Sequence, residues 1–134
     1  MRMLIADDDQ ICCQVLAMHL ALLGDCDTVG TGRGTIGAVT KAWDEGRPYG
    51  LVFLDILMPE GDGQEVLQQL RVLEKKRGIH GLDRLNVVMI TSLDDRKQVM
   101  DAFRREAQAY LIKPVDATKL RKVLKEFGIL GKDV

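Results

Sequence analysis

Short apolar runs alternate with longer amphipathic ones along the whole chain. Residues 3–6 read as a strand, and residues 10–23 carry Ile11, Val15, Met18 and Leu22 at helical spacing, with Gly24 as a stop. A weaker strand covers 26–29, and a helix is expected over 35–45, broken by Gly46 and Pro48. "LVFL" (51–54) is a fully apolar strand that runs into Asp55. The loop "MPEGDG" then leads to a helix over 64–76 with Val66, Leu67, Leu70 and Leu73 on one side. After a connection over 77–86, "VVMI" (87–90) is a fourth strand ending at Thr91, followed by a helix over 94–106. "AYLI" (109–112) is a fifth strand ending at Lys113 and Pro114, and the last helix runs over 117–127 to Gly128.

Five βα units in sequence predict an α/β fold, a parallel sheet covered by helices on both faces with right-handed crossovers. The uninterrupted apolar strands agree, since such strands are buried on both sides. The 134 residues suit one domain over 1–134, and with so little chain after the fifth helix no output domain is expected. Formal net charge is −1, from 19 basic and 20 acidic residues, so charge argues for neither direct DNA binding nor a membrane. The basic clusters at Lys75, Lys76 and Arg77 and at Arg121 and Lys122 read as solvated helix faces. No apolar run approaches a membrane span, and "MRMLIADDD" meets acid too soon for a signal peptide, so a cytoplasmic location is expected. The three cysteines show no C-x-x-C spacing and are expected to be reduced, with no metal or redox role.

In open parallel sheets, sites form outside the carboxyl ends of the strands. The first strand ends in Asp7, Asp8 and Asp9, the third in Asp55, the fourth in Thr91 and Ser92, and the fifth in Lys113 and Pro114. Carboxylates gathered at one rim repel by several kcal/mol unless a cation neutralises them. An all-oxygen donor set without His favours Mg²⁺, with Mn²⁺ as the alternative. A lysine and a hydroxyl complete a set suited to a phosphoryl group, and Asp55, at the end of the most buried strand, is the candidate nucleophile.

These residues resemble the receiver domain of two-component response regulators, in its stand-alone, chemotaxis-regulator-like form. The likeness rests on the acidic pair after "LIA", on "FLDILMPEGDG", on "ITS" and on "AYLIKP", and it covers essentially the whole chain. It implies a flavodoxin-like three-layer sandwich with strand order 2-1-3-4-5 and five helices. It implies that Asp55 accepts a phosphoryl group from a sensor histidine kinase or a histidine phosphotransfer protein. Asp8 and Asp55 would then ligate Mg²⁺ directly, with the Leu57 carbonyl as a further ligand and Asp7 acting through water. Lys113 would pair with Asp55 and then with the phosphoryl oxygens, across a cis peptide to Pro114. Thr91 and Tyr110 would be the switch residues, and the fourth helix, fifth strand and fifth helix the readout surface for an unknown protein target. The chain would be a switch, not a turnover enzyme, as a monomer or a phosphorylation-dependent dimer. A phosphate carrier in a multistep relay is the alternative.

Some features depart from the family pattern. The connection over 77–86 is long, and reads as a partner surface or a tolerated insertion. Leu57 and Leu93 are apolar where many relatives are polar, which implies a long-lived phosphorylated form. The segment before the second helix lacks an acidic residue often found there. Three rival readings stand beside this one. "GRGTIG" (32–37) matches a dinucleotide-binding pattern with Asp55 near the distance for a ribose ligand, but it leaves the aspartates and Lys113 unexplained, and a glycine-rich loop accounts for it. A haloacid dehalogenase-type phosphatase needs Asp where Leu57 stands. A degenerate receiver sits poorly with the intact set of Asp7, Asp8, Asp55, Thr91 and Lys113. Asp9 is expected at the N-terminus of the first helix and Asp62 in a turn, and His19, His80 and Trp43 need no function.

Overall fold

A computed structural model describes residues 1–60, 62–91, 107–126 and 128. Five parallel strands, β1 (Arg2–Ala6), β2 (Asp25–Val29), β3 (Leu51–Asp55), β4 (Val87–Thr91) and β5 (Ala109–Ile112), form one sheet in the order β2-β1-β3-β4-β5. The helices α1 (Gln10–Leu20), α2 (Gly32–Asp44) and α3 (Gly63–Lys76) and a last helix, Ala117–Glu126, cover it. The helix expected over 94–106 lies outside the described residues.

Strand residues alternate between two cores. Leu4, Ala6, Val52, Leu54 and Met89 face α2 and α3 through Val39, Ala42, Val66, Leu67 and Leu70. Met3, Ile5, Leu51, Phe53 and Ile90 face α1 and the last helix through Leu16, Leu20, Leu120, Val123 and Leu124. Every residue of β3 and β4 is buried, which is why these strands are apolar throughout. No described helix is long and apolar enough to cross a membrane.

Helix starts are set by side chains. Asp9 Oδ1 accepts from Ile11 N at 3.0 Å and Cys12 N at 3.3 Å, and Asp62 Oδ1 accepts from Glu65 N at 3.0 Å. The first cap is the role expected of Asp9, whereas Asp62, expected in a turn, caps α3. α2 begins at Gly32, not at 35, because Thr31 caps it: its Oγ1 accepts from Gly34 N at 2.9 Å. The glycine-rich stretch is therefore helical and not a loop. Its first two amides are taken by the loop after β3, Gly32 N by Pro59 O at 3.1 Å and Arg33 N by Glu60 O at 3.2 Å. Amides so occupied offer nothing to a pyrophosphate, which removes the dinucleotide reading.

α1 also departs from expectation. Its buried face is Cys13, Leu16 and Leu20, while Ile11 is 73% exposed, Met18 66% and Leu22 100%. Three of the four residues that mark the helical spacing face out, and Val15 is half-buried. The connection after α3 contains a short 3-10 turn, Gly81–Asp83, with Leu82 fully exposed. Its end is pinned by a buried polar network. Glu74 Oε2 accepts from Leu85 N at 2.6 Å and Glu74 Oε1 from the Arg71 guanidinium at 2.8 Å. Arg71 also donates to Leu85 O and to the Gln108 amide, whose Oε1 accepts from Val87 N at 2.7 Å. Half-buried Trp43, beneath the Arg77 guanidinium at 5.0 Å, packs against the α2/α3 core.

Candidate metal and phosphoacceptor site

The carboxyl ends of β1, β3, β4 and β5 meet at one rim because the register aligns them. Ala6 pairs with Leu54, Asp55 with Ile90 and Thr91 with Ile112. Asp7 is held there by its backbone, with Asp7 N donating to Val29 O at 3.0 Å and Cys13 Sγ donating to Asp7 O at 3.3 Å. Asp7 Oδ1 accepts from Asp9 N at 2.9 Å, and Asp55 Oδ1 accepts from Leu57 N at 3.1 Å. The Lys113 ammonium stands between the two acids, 3.1 Å from Asp55 Oδ2 and 3.1 Å from Asp7 Oδ2. The contact to Asp7 Oδ2 lacks hydrogen-bond geometry, so this buried oxygen carries a charge partner but no hydrogen bond.

Carboxylate oxygens of Asp7, Asp8 and Asp55 all lie within 4.8 Å of one another. Asp7 and Asp55 are buried and Asp8 is exposed, so the cluster opens to solvent on one side. The cost of this crowding appears in their protonation. Burial, then the neighbouring Asp7, pushes the Asp55 carboxyl up from 3.8 to about 6. Burial works the same way on Asp7, but hydrogen bonds from Asp55, the Asp9 N–H, Cys12 and Lys113 outweigh it and hold that carboxyl below its ordinary value. Burial opposes the Lys113 charge too, yet its ion pairs with Asp55 and Asp7 raise its pKa. Burial and the Asp7 charge push the Cys12 thiol up to about 12, so it remains a neutral neighbour. Three carboxylates and one ammonium leave the rim two positive charges short. The donor set, three carboxylates with one oxygen lacking a hydrogen bond, fits a hard divalent cation.

Thr91 is buried at the end of β4, and its carbonyl accepts from Lys113 N at 2.8 Å. The Lys113–Pro114 peptide is cis, as expected. Tyr110 points outward from β5 and is 39% exposed. Leu57 lies at the lip with its side chain 67% exposed. Ser92 and Leu93 lie outside the described residues.

One residue that shapes the site left no signal in the sequence. A Cβ on Gly63 would stand 2.8 Å from Ile56 Cα and closer still to the Asp55 carbonyl oxygen. Gly63 N donates to Ile56 O at 2.7 Å, so α3 starts directly against the backbone that carries Asp55. A glycine in a turn looks the same in sequence whether or not another backbone touches it.

Comparison with known proteins agrees with this fold. The chain is 34% identical over 126 residues to a response regulatory protein of Vibrio vulnificus, covering 93% of this chain and 46% of that one. It is 27% identical to the chemotaxis protein CheY of Listeria monocytogenes, covering 92% of this chain and 95% of that protein. Other relatives are far longer: the chain spans 7% of a Dictyostelium discoideum hybrid signal transduction histidine kinase and 55% of a Bacillus subtilis transcriptional regulatory protein. The crystal structure of the receiver domain of NtrX from Brucella abortus superposes with a TM-score of 0.76 at 25% identity, covering 92% of this chain and 95% of that one. The family model for the response regulator receiver domain matches residues 3–125, and the chain belongs to that family.

Proposed function

We propose that Asp55 is the phosphoacceptor of this receiver, and that the site works with Mg²⁺, or Mn²⁺ in its place. Receiver domains are phospho-acceptor switches phosphorylated by histidine kinases. The observation that carries the assignment is the convergence of the Asp7, Asp8 and Asp55 carboxylates, with the Lys113 ammonium paired to Asp7 and Asp55. A carboxylate oxygen of Asp55 forms the new bond to phosphorus as the bond from phosphorus to the donor imidazole nitrogen breaks. The electron pair leaves on that nitrogen, which takes a proton. Asp8 and Asp55 would hold the metal directly with the Leu57 carbonyl, and Asp7 through water; the bound cation supplies the positive charge the rim lacks. Lys113 then exchanges its Asp55 contact for a phosphoryl oxygen. Thr91 supplies a hydroxyl to the same oxygens, and Tyr110, now outside, follows it inward as the switch. The surface of β5 and the last helix, with the segment before β5, carries the signal to a protein target.

The donor docks on α1. Ile11 and Val15 line a cleft together with Lys113 and Pro114, so the exposed apolar stripe is continuous with the rim where the phosphoryl group must arrive. α1 has no Asp, Glu, Lys or Arg, which suits an apolar helical face on the histidine-bearing partner.

Incubation with acetyl phosphate and Mg²⁺, followed by intact mass, tests the assignment. The wild-type chain gains one phosphoryl group, and Asp55→Asn gains none. Label on Asp55→Asn, or label in wild type that is indifferent to chelation of Mg²⁺, would remove the proposal. Met18→Glu should slow transfer from a phosphohistidine protein while labelling by acetyl phosphate is unchanged; equal loss from both donors would remove the docking assignment.

A further inference from the structure

We propose that Lys119 is a positioning residue for Lys113, holding the loop that aims the active-site ammonium; the reading rests on the phosphoacceptor assignment above. Lys113 follows the last residue of β5, and its side chain must reach two acids that follow or end other strands, Asp7 after β1 and Asp55 on β3. On its sheet side the Lys113 backbone is fixed, because its N–H donates to Thr91 O at 2.8 Å. Beyond Lys113 the chain leaves the sheet and turns into the last helix, with no strand partner among the described residues to hold it.

Lys119 supplies the missing hold. Its ammonium donates to Ile112 O at 3.2 Å and to Pro114 O at 3.0 Å, the carbonyls immediately before and after Lys113. One charged donor thus spans the residue that carries the catalytic cation. The base of this clamp is itself fixed. Asp116 Oδ1 accepts from Lys119 N at 2.8 Å, and Asp116 O accepts from Leu120 N at 3.1 Å, so Lys119 projects from an ordered first turn. Charge-assisted hydrogen bonds to two carbonyls restrain the loop more tightly than water would, and water would let it relax. Lys119 touches neither acid, so its effect on the chemistry runs through the placement of Lys113.

The test compares Lys119→Met, which keeps the stem and removes the donor, with Lys119→Arg, which keeps the charge and two donors. Labelling of Lys119→Met by acetyl phosphate should slow about ten- to a hundredfold, the cost of a small misplacement of a reacting group, while Lys119→Arg recovers most of the rate. A second readout needs no phosphorylation: trace acetylation of each lysine by acetic anhydride, read by mass spectrometry in the unphosphorylated chain. Lys113 should react faster in Lys119→Met than in wild type, relative to Lys75 and Lys76 in the same molecule, and return to the wild-type ratio in Lys119→Arg. An unchanged Lys113 ratio in Lys119→Met overturns the proposal, as does failure of arginine to restore it. A rise shared equally by Lys75 and Lys76 reports a loosened fold and overturns it as well. If wild type takes no label on Asp55, the phosphoacceptor reading fails by itself, and the acetylation ratios still decide whether Lys119 positions Lys113.

Discussion

Asp55→Asn should make the protein more stable, and the gain should depend on pH. In the folded chain the Asp55 carboxyl is raised from 3.8 to about 6 by burial and by Asp7. A carboxyl raised on folding binds more protons folded than unfolded between those values, so wild-type stability falls as pH climbs from about 4 to about 6 and is level above that. At about 1.4 kcal/mol per pH unit, the rise corresponds to about 3 kcal/mol of destabilisation at neutral pH. Asp7, held below its ordinary value, offsets part of this, so about 3 kcal/mol is a ceiling. Asparagine keeps an oxygen for the Leu57 N–H and removes the charge. For a chain of this size the ceiling corresponds to a melting temperature higher by about 10 °C. Thermal melts or urea titrations of both proteins without divalent cation, at pH 4 and pH 7.5, measure it. The gain should be present at pH 7.5, absent at pH 4, and reduced when Mg²⁺ is added, because the cation stabilises wild type more than the variant. Equal stability at pH 7.5, or a gain that persists unchanged at pH 4, would refute the view that crowded charge strains this rim.

Three further outcomes follow from single contacts. Gly63→Ala drives a methyl into the backbone of Asp55 and Ile56 and should cost about 1–3 kcal/mol in urea unfolding while also slowing acetyl phosphate labelling; wild-type values for both would mean that α3 has room to slide. Glu74→Ala leaves Arg71 buried without its carboxylate and Leu85 N without its acceptor, for a loss of about 3–5 kcal/mol in the same assay. Leu57→Asn places a polar group at the lip where it can orient an attacking water, and one such hydrogen bond, about 1.4 kcal/mol, should shorten the lifetime of the phosphorylated form about tenfold; an unchanged decay of label would show that water is positioned by other groups.

The strands and their chemistry were legible because each signal is local. "LVFL" and "VVMI" are apolar at every position because both faces of β3 and β4 are covered, and the polar residue that ends each run marks the rim. From Asp7, Asp55, Thr91 and Lys113 the site could be assembled once the sheet was recognised as parallel. Contacts made through backbone or across long separations were not legible. Nothing in "DATK" announces that its lysine will clamp the carbonyls around Lys113. Nothing in "RVLEKK" distinguishes Glu74, sealed against Leu85 and Arg71, from an ordinary exposed acid on a helix. The start of α2 is not legible because glycines at 32, 34 and 37 argue against a helix by propensity, while the Thr31 cap and the Pro59 and Glu60 carbonyls supply what propensity lacks.

The face of α1 is the most instructive difference, because periodicity had no means of choosing it. Residues 11–13, 15–18 and 20–23 are all apolar, so two stripes fit a helical period equally well: Ile11, Val15, Met18 and Leu22, or Cys13, Leu16 and Leu20. What decides between them is the phase at which the helix begins. Asp9 caps it through Ile11 N and Cys12 N, and Cys13 Sγ reaches back to Asp7 O, which turns Cys13 toward the sheet and carries Leu16 and Leu20 with it. The residue that must be fixed is Asp7, since its carboxylate serves the rim. The constraint that orders the acids therefore also leaves Ile11, Met18 and Leu22 in solvent. An exposed apolar stripe costs solubility and adds nothing to the core, and the docking proposed above would give it a use, with a partner covering it during transfer.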